Sequence, residues 1–393
     1  MFFIFIMKSL GEDRTVLSSF GPYEIIDMLK PIGEDERRKL VHELDKPALA
    51  HLAYFLKYFE RFLPDFASEV ESRVIGEHHK HIDTGSMLPY AISDYSKKER
   101  EIIYQNIMAF QAGFGCGGAC TFCGLDAVPV VRDRMPLEHQ IALFEDIGTH
   151  SKRQHPLNYY ANDILETIDN VEDYERLSYH FLLNLKSSFN GKTSIPSGKE
   201  ELYKELCIKY KGGVPVSASL SDENIRRLRN RGIVKISSLS EIKSWQPEDV
   251  QFAGLIFPYI LEEIFVRGLE PRSVSLRYKQ TLHDIGINRN RNKIGYSICE
   301  SGTIITPYGP HNVMSTFGAS DRYPQGQAVV SIGRLSSKPL KIEKGNRVEN
   351  YLTHSVLINT THKYGAVRNY KLRNLSSSAN VSVNTEGIVV NIF

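Results

Sequence analysis

The chain has 393 residues, 41% of them hydrophobic, with a formal net charge of +2. That composition suits a globular protein with a sizeable core, in one large domain or two to three smaller units. So small a charge gives no argument for nucleic acid or an acidic membrane as partner. Five cysteines, three of them clustered, do not make a disulfide framework and suit a reducing cytoplasm. The N-terminal MFFIFIMK lacks a basic leader, and its apolar run is far shorter than the ~20 residues that span a bilayer. It reads as a buried strand or a docked tail.

From Gly21 to Val74 the pattern is helical. Pro22 opens a first helix, and Leu40, Leu44, Leu49, Leu52, Phe55, Leu56 and Phe59 continue apolar stripes. The aromatic stripe of Tyr54, Phe55, Tyr58, Phe59 and Phe62 reads as a packed helix face, with ligand binding as the other reading. The segment EHHKHID follows. His78, His79 and His81 are metal-ligating types, but adjacent histidines converge poorly on a strand or a helix. A solvated loop is the expectation there, with a metal site as the other reading.

Ile102–Gln111 reads as a strand that runs into GFGCGGACTFCGLDA, Gly113 to Ala127. This stretch carries Cys116, Cys120 and Cys123 in C-x3-C-x2-C spacing, with Phe122 before the last. Glycines let the backbone bend so that three thiolates can converge on one inorganic centre. A structural zinc or iron–sulfur site normally has four protein ligands. Cys207 and Cys299 lie far off in the sequence, so three local ligands leave one position open. Pro136 then opens a helix with Ile141, Leu143, Phe144 and Ile147 on its apolar stripe. Strand, loop and helix in that order make the unit of an α/β barrel, with function at the strand's C-terminal end.

Further alternations follow. Pro156–Ile164 reads as a strand, Tyr174–Phe189 as a helix, Thr193–Pro196 as a short strand, and Lys199–Tyr210 as a helix. VPVSASLSDEN is a strand ending near Ser219, and a helix with Arg226, Arg227, Arg229 and Arg231 comes next. The alternation predicts a parallel sheet with helical crossovers. Pro258, Glu262 and Glu263 interrupt the apolar run after Gln251, which makes it a buried element and not a membrane span. Beyond the polar linker Ile287–Lys293, GYSICESGTIITPYG alternates as a hairpin would, and short β-like runs dominate from Ala328 to Phe393. Three regions result: a helical 1–100, an α/β 101–286, and a β-rich 287–393.

The cysteine stretch resembles the signature of the radical S-adenosylmethionine (SAM) superfamily. The resemblance implies a partial (β/α) barrel, open on one side for substrate. It implies that Cys116, Cys120 and Cys123 hold a 4Fe–4S cluster whose fourth iron is chelated by SAM, with Phe122 beside the adenine and Gly124 also at the cofactor. A Gly-Gly-Glu type motif often holds the SAM amino group in that family. Tyr160-Ala161-Asn162-Asp163 stands in its place here, a departure that still offers an amide oxygen at Asn162 and a carboxylate at Asp163. Asp163 is equally well placed as a helix N-cap. Later strand ends offer Ser194, Ser197, Ser217 and Ser219 for the ribose and Lys199 for the methionyl carboxylate, each also a turn or cap type. Cys299, Tyr308 and His311 are candidates for returning hydrogen or orienting substrate, against an ordinary turn over Thr306–Asp321.

By the same resemblance the substrate is a peptide or small molecule, the reductant a flavodoxin or ferredoxin, and the compartment the cytoplasm. Membrane and nucleic-acid partners are not expected. The competing reading is an iron–sulfur or zinc-binding protein with an electron-transfer, sensing or structural role and no SAM chemistry.

Overall fold

The computed structural model describes residues 22–117, 128, 130–151, 159–160, 162–187, 189, 191–193, 195–210, 216–219, 226, 229–230, 255–256, 302–315, 327–352, 354–361, 367–384 and 387–393. Five helices open it: α1 Pro22–Leu29, α2 Glu34–Glu43, α3 Lys46–Tyr54, α4 Leu56–Phe62 and α5 Pro64–Asp83. Local chemistry sets their starts. Asp45 caps α3 by accepting from the Ala48 amide, and Pro64 begins α5 where its missing N–H costs nothing. The helical expectation for this region holds.

Two expectations are corrected here. Residues 102–104 belong to a helix, α6 Lys97–Tyr104, and the strand β1 is only Ile107–Phe110. The cause is a capping box: the Ser96 side chain accepts from Glu99 N, and Glu99 returns a bond to Ser96 N. His78, His79 and His81 are not in a loop either, because α5 runs through them to Asp83.

After β1 come β2 Gly113–Phe114, β3 Asp133–Arg134, α7 Leu137–His150, β4 Tyr159–Tyr160, α8 Val171–Leu185, β5 Gly191–Thr193, α9 Glu200–Tyr210, β6 Val216–Ser219 and β7 Leu255–Ile256. Then follow β8 Gly302–Thr306, β9 Gly309–Ser315, β10 Gln327–Ser331, the short helix α10 Glu349–Leu352, and β11 Val356–Thr361, β12 Val367–Arg373, β13 Ser378–Asn384 and β14 Val389–Ile392. The central sheet has the order β10-β9-β8-β1-β4. In it β1 is parallel to both β4 and β8, while β8, β9 and β10 form an antiparallel meander. The β-rich region expected from residue 287 thus shares a sheet with the α/β region. A second sheet, β5-β6-β7, begins with a parallel pair, and β11 to β14 make a separate antiparallel sheet. The architecture is mixed helix and sheet, and among the described residues no sheet closes into a barrel.

The central sheet is covered on both faces. Alternate residues of a strand point to opposite sides. Ala109 and the Ile304 paired with it pack with the N-terminal helices, around Phe59, Phe66 and Val70. The next pair, Phe110 and Ile305, packs with α7 and α8, around Phe144 and Phe181. Burial on both sides explains why these strands read as runs of apolar residues. No helix among the described residues is long and apolar enough to cross a membrane.

Candidate functional site

The C-terminal end of β1 leads into the neck of the cysteine loop. Its two stems are zipped together by backbone bonds. Met135 N donates to Ala112 O at 2.7 Å, Arg132 N to Phe114 O at 2.8 Å, Cys116 N to Val128 O at 2.9 Å, and Val130 N to Cys116 O at 3.2 Å. The stems cross closely at Gly115, which has φ +89° and where a Cβ would lie 1.9 Å from the Val130 carbonyl oxygen. Only glycine meets both demands. Cys116 is half-buried at this neck. Cys120, Cys123, Phe122 and Gly124 lie outside the described residues, as do Ser194 and Cys299.

Two side chains from the segment after β4 hold the neck. The buried Asn162 accepts from Gly113 N at 3.1 Å and donates to Gly113 O at 3.0 Å, so its amide pairs with the N–H and C=O of one residue like a strand neighbour. Glu166 accepts the Gly117 N–H with both carboxylate oxygens, at 2.9 and 3.0 Å. Gly117 has no side chain in the way, whereas a Cβ there would come within 2.2 Å of Glu166 Oε1. Reading the sequence singled out Asn162 for the SAM amino group and not for this backbone contact, and it missed Glu166. The signal was a carboxylate four positions beyond Asn162 on the same turn. Asp163 caps the 3-10 turn Ile164–Glu166 by accepting from Leu165 N at 3.2 Å, the capping role its position suggested.

The other candidates sit elsewhere. Ser197 is exposed in a turn. Ser217 and Ser219 lie in β6, with Ser217 beside Lys192 of β5. Lys199 donates to Ile168 O at 2.7 Å and pairs with Asp169, which also receives a two-pronged contact from Arg134.

Tyr308 and His311 both come close to the neck. Tyr308 is in the β8–β9 turn, and His311 and Asn312 are in β9, so the segment read as a turn from Thr306 is the turn of a hairpin whose second strand runs to Ser315. Asn312 is structural: it accepts from Thr303 and donates to Ser355 O. A cavity of about 20 Å3, room for one water molecule, lies between Tyr54, Gln111, Gly115, Tyr308 and His311. His311 Nδ1 and Gln111 Oε1 are buried there without a hydrogen-bond partner among the described residues. Burial, and then the nearby His51, pushes the His311 pKa down to about 3, so the ring is neutral.

Tyr308 connects the neck to a second polar cluster. Its ring meets Phe114 edge-on at 5.0 Å, and its hydroxyl donates to Asp133 Oδ2 at 3.0 Å. Asp133 also contacts His78 Nδ1 at 2.7 Å and His79 Nε2 at 3.2 Å, and Oδ1 accepts from Arg134 N at 2.8 Å. Burial opposes ionisation of Asp133, but these hydrogen bonds and the His78 charge outweigh it and hold the carboxyl below its usual value. The loop expected for these histidines hid this cluster.

No family model, curated protein or solved structure matches the chain.

Proposed function

We propose that the chain is a radical SAM enzyme. Cys116, Cys120 and Cys123 would hold a 4Fe–4S cluster with SAM at the open position, and the substrate would be a peptide or a small molecule. The observation that carries the reading is the C-x3-C-x2-C spacing on a glycine loop that leaves the C-terminal end of a central parallel strand. The donor set fits such a cluster: three thiol side chains and no fourth in the loop. The neck fits as well, because backbone bonds pair the stem that enters the cysteine stretch, Ala112 to Cys116, with the stem that leaves it, Val128 to Met135. When bound, cluster and SAM would supply radical chemistry able to take hydrogen from an otherwise inert C–H bond.

The chain's own part is positioning and exclusion of water. Asn162 and Glu166 fix the loop backbone from one side. Phe114, Val128 and Tyr308 pack the other side against the N-terminal helices. The reductant would be a flavodoxin or ferredoxin type of protein, and the setting the cytoplasm.

Anaerobic reconstitution with iron and sulfide, then dithionite and SAM, tests the reading by chromatography of 5′-deoxyadenosine. Iron binding and product that both vanish when Cys116, Cys120 and Cys123 are changed to Ala are expected. A chain that takes up zinc in place of iron, or whose cluster never cleaves SAM with any peptide or small-molecule substrate, would sink it.

A further inference from the structure

We propose that His78, His79 and Asp133 form a second metal site, for a divalent first-row transition-metal ion, which ties helix α5 to the exit stem of the cysteine loop. The site is built from nitrogen and oxygen donors, so it is chemically distinct from the thiol loop and independent of what that loop binds.

Its geometry starts from the helix. Neighbouring residues on a helix point about 100° apart, which normally keeps two adjacent histidines from one ligand. Here the two rings differ in reach. His78, fully buried, uses its near nitrogen Nδ1, and His79, on the outer side, uses its far nitrogen Nε2. Both therefore arrive at Asp133, one on each carboxylate oxygen. One ligand atom from each residue can be chosen so that all three lie within 4.8 Å of one another.

These distances are close to what an ion requires. Metal bonds of about 2.0–2.1 Å in a tetrahedron set ligand atoms about 3.3 Å apart. His79 Nε2 lies 3.2 Å from Asp133 Oδ1, near that value, while His78 Nδ1 lies 2.7 Å from Oδ2 and has to move out by about half an ångström; an ion on a single carboxylate oxygen needs the other ring to shift as well. The His79 side chain is 61% exposed, which gives an ion a path from solvent. Imidazole with carboxylate selects Zn2+, Fe2+, Co2+ or Ni2+ over Ca2+ and Mg2+.

An ion there has a mechanical consequence. His78 and His79 belong to α5, and Asp133 begins β3, the strand that leaves the cysteine loop. Tyr308, bonded to the same carboxylate, belongs to the β8–β9 turn. One ion would fasten α5 to β3, with the hairpin turn held to the same carboxylate.

The test uses the full chain with Cys116, Cys120 and Cys123 changed to Ala, titrated calorimetrically with Zn2+. One equivalent is expected to bind, and His79→Ala, an outward-facing change, is expected to weaken it roughly tenfold or more. Co2+ in the same chain is expected to give ligand-field absorption without a thiolate charge-transfer band. If the triple variant does not fold, the wild-type chain serves: it should bind one more equivalent of Zn2+ than His79→Ala, and Zn2+ should raise its melting temperature more. No Zn2+ bound by the triple variant, or binding untouched by His79→Ala, would overturn the proposal and leave a hydrogen-bonded cluster only. Neither result bears on 5′-deoxyadenosine formation, so the two proposals fail separately.

Discussion

Gly115 and Gly117 look alike in the sequence, but the structure asks different things of them. At Gly115 a methyl group would meet a backbone oxygen, Val130 O, in a left-handed conformation. At Gly117 it would meet the end of a flexible carboxylate, Glu166 Oε1, which can swing away. Gly115→Ala should therefore cost at least ~1–2 kcal/mol from the backbone conformation alone, and more from the clash. Gly117→Ala should cost less in denaturant stability while loosening the Glu166 contact, and, if the loop holds the proposed cluster, lowering iron uptake. Denaturant midpoints and iron content of the two variants check this, and the reverse order of stability would refute the close crossing at Gly115.

His311 allows a pH prediction at the same scale. Its folded pKa, near 3, lies below the ordinary value of about 6.5 for an unfolded chain. The unfolded state therefore binds the extra proton first. The His311 contribution is fully present above pH ~6.5 and is lost as the pH falls from there toward 3. In His311→Phe the fall in urea midpoint across that window should be shallower than in the wild type. Equal slopes would mean that His311 is not buried in its neutral form.

At the scale of elements, Asn162 docks the segment after β4 onto the β2–β3 hairpin by copying the bonds of a strand edge. Asn162→Asp keeps the shape and the acceptor for Gly113 N, but turns the donor that faces Gly113 O and Gly115 O into an oxygen. A buried carboxylate facing two carbonyls is worse than a small cavity. The prediction is that Asn162→Asp lowers the melting temperature more than Asn162→Ala. The opposite ranking would show that the amide does not donate as described. Much of this was legible in the sequence, and what was not has physical causes. Asp163 announced itself as a cap, and Pro136 marked α7 within a residue. Ser96 and Glu99 carried a capping box that the apolar run Ile102–Tyr104 masked, because three adjacent apolar residues suit a buried strand as well as a short helix. The histidine cluster was hidden by side-chain reach, since a rule about which residues share a face says nothing of which ring nitrogen arrives.

At the scale of the whole molecule, the neck of the cysteine loop is assembled from four separate stretches of chain. The N-terminal helices were visible as helices, but nothing in their periodicity says what they cover. In the structure Ala109, Phe114, Val128, Ile304 and Tyr308 share one apolar cluster with Phe59, Phe66 and Val70. The strand Gly302–Thr306, nearly two hundred residues from β1, is its parallel neighbour. Pairing across that separation is set by tertiary packing and leaves no local mark. The helical region is thus one wall of the neck and not an appendage. A chain that begins at residue 84 would expose one face of the central sheet, and would lose the side chains against which Phe114 and Val128 are buried. Its expected behaviour is loss of the cooperative thermal transition and of iron uptake, read by calorimetry and iron analysis beside the full chain. A truncated chain that still melted cooperatively and took up iron would mean that β1, β8 and the loop stems hold together without the helices.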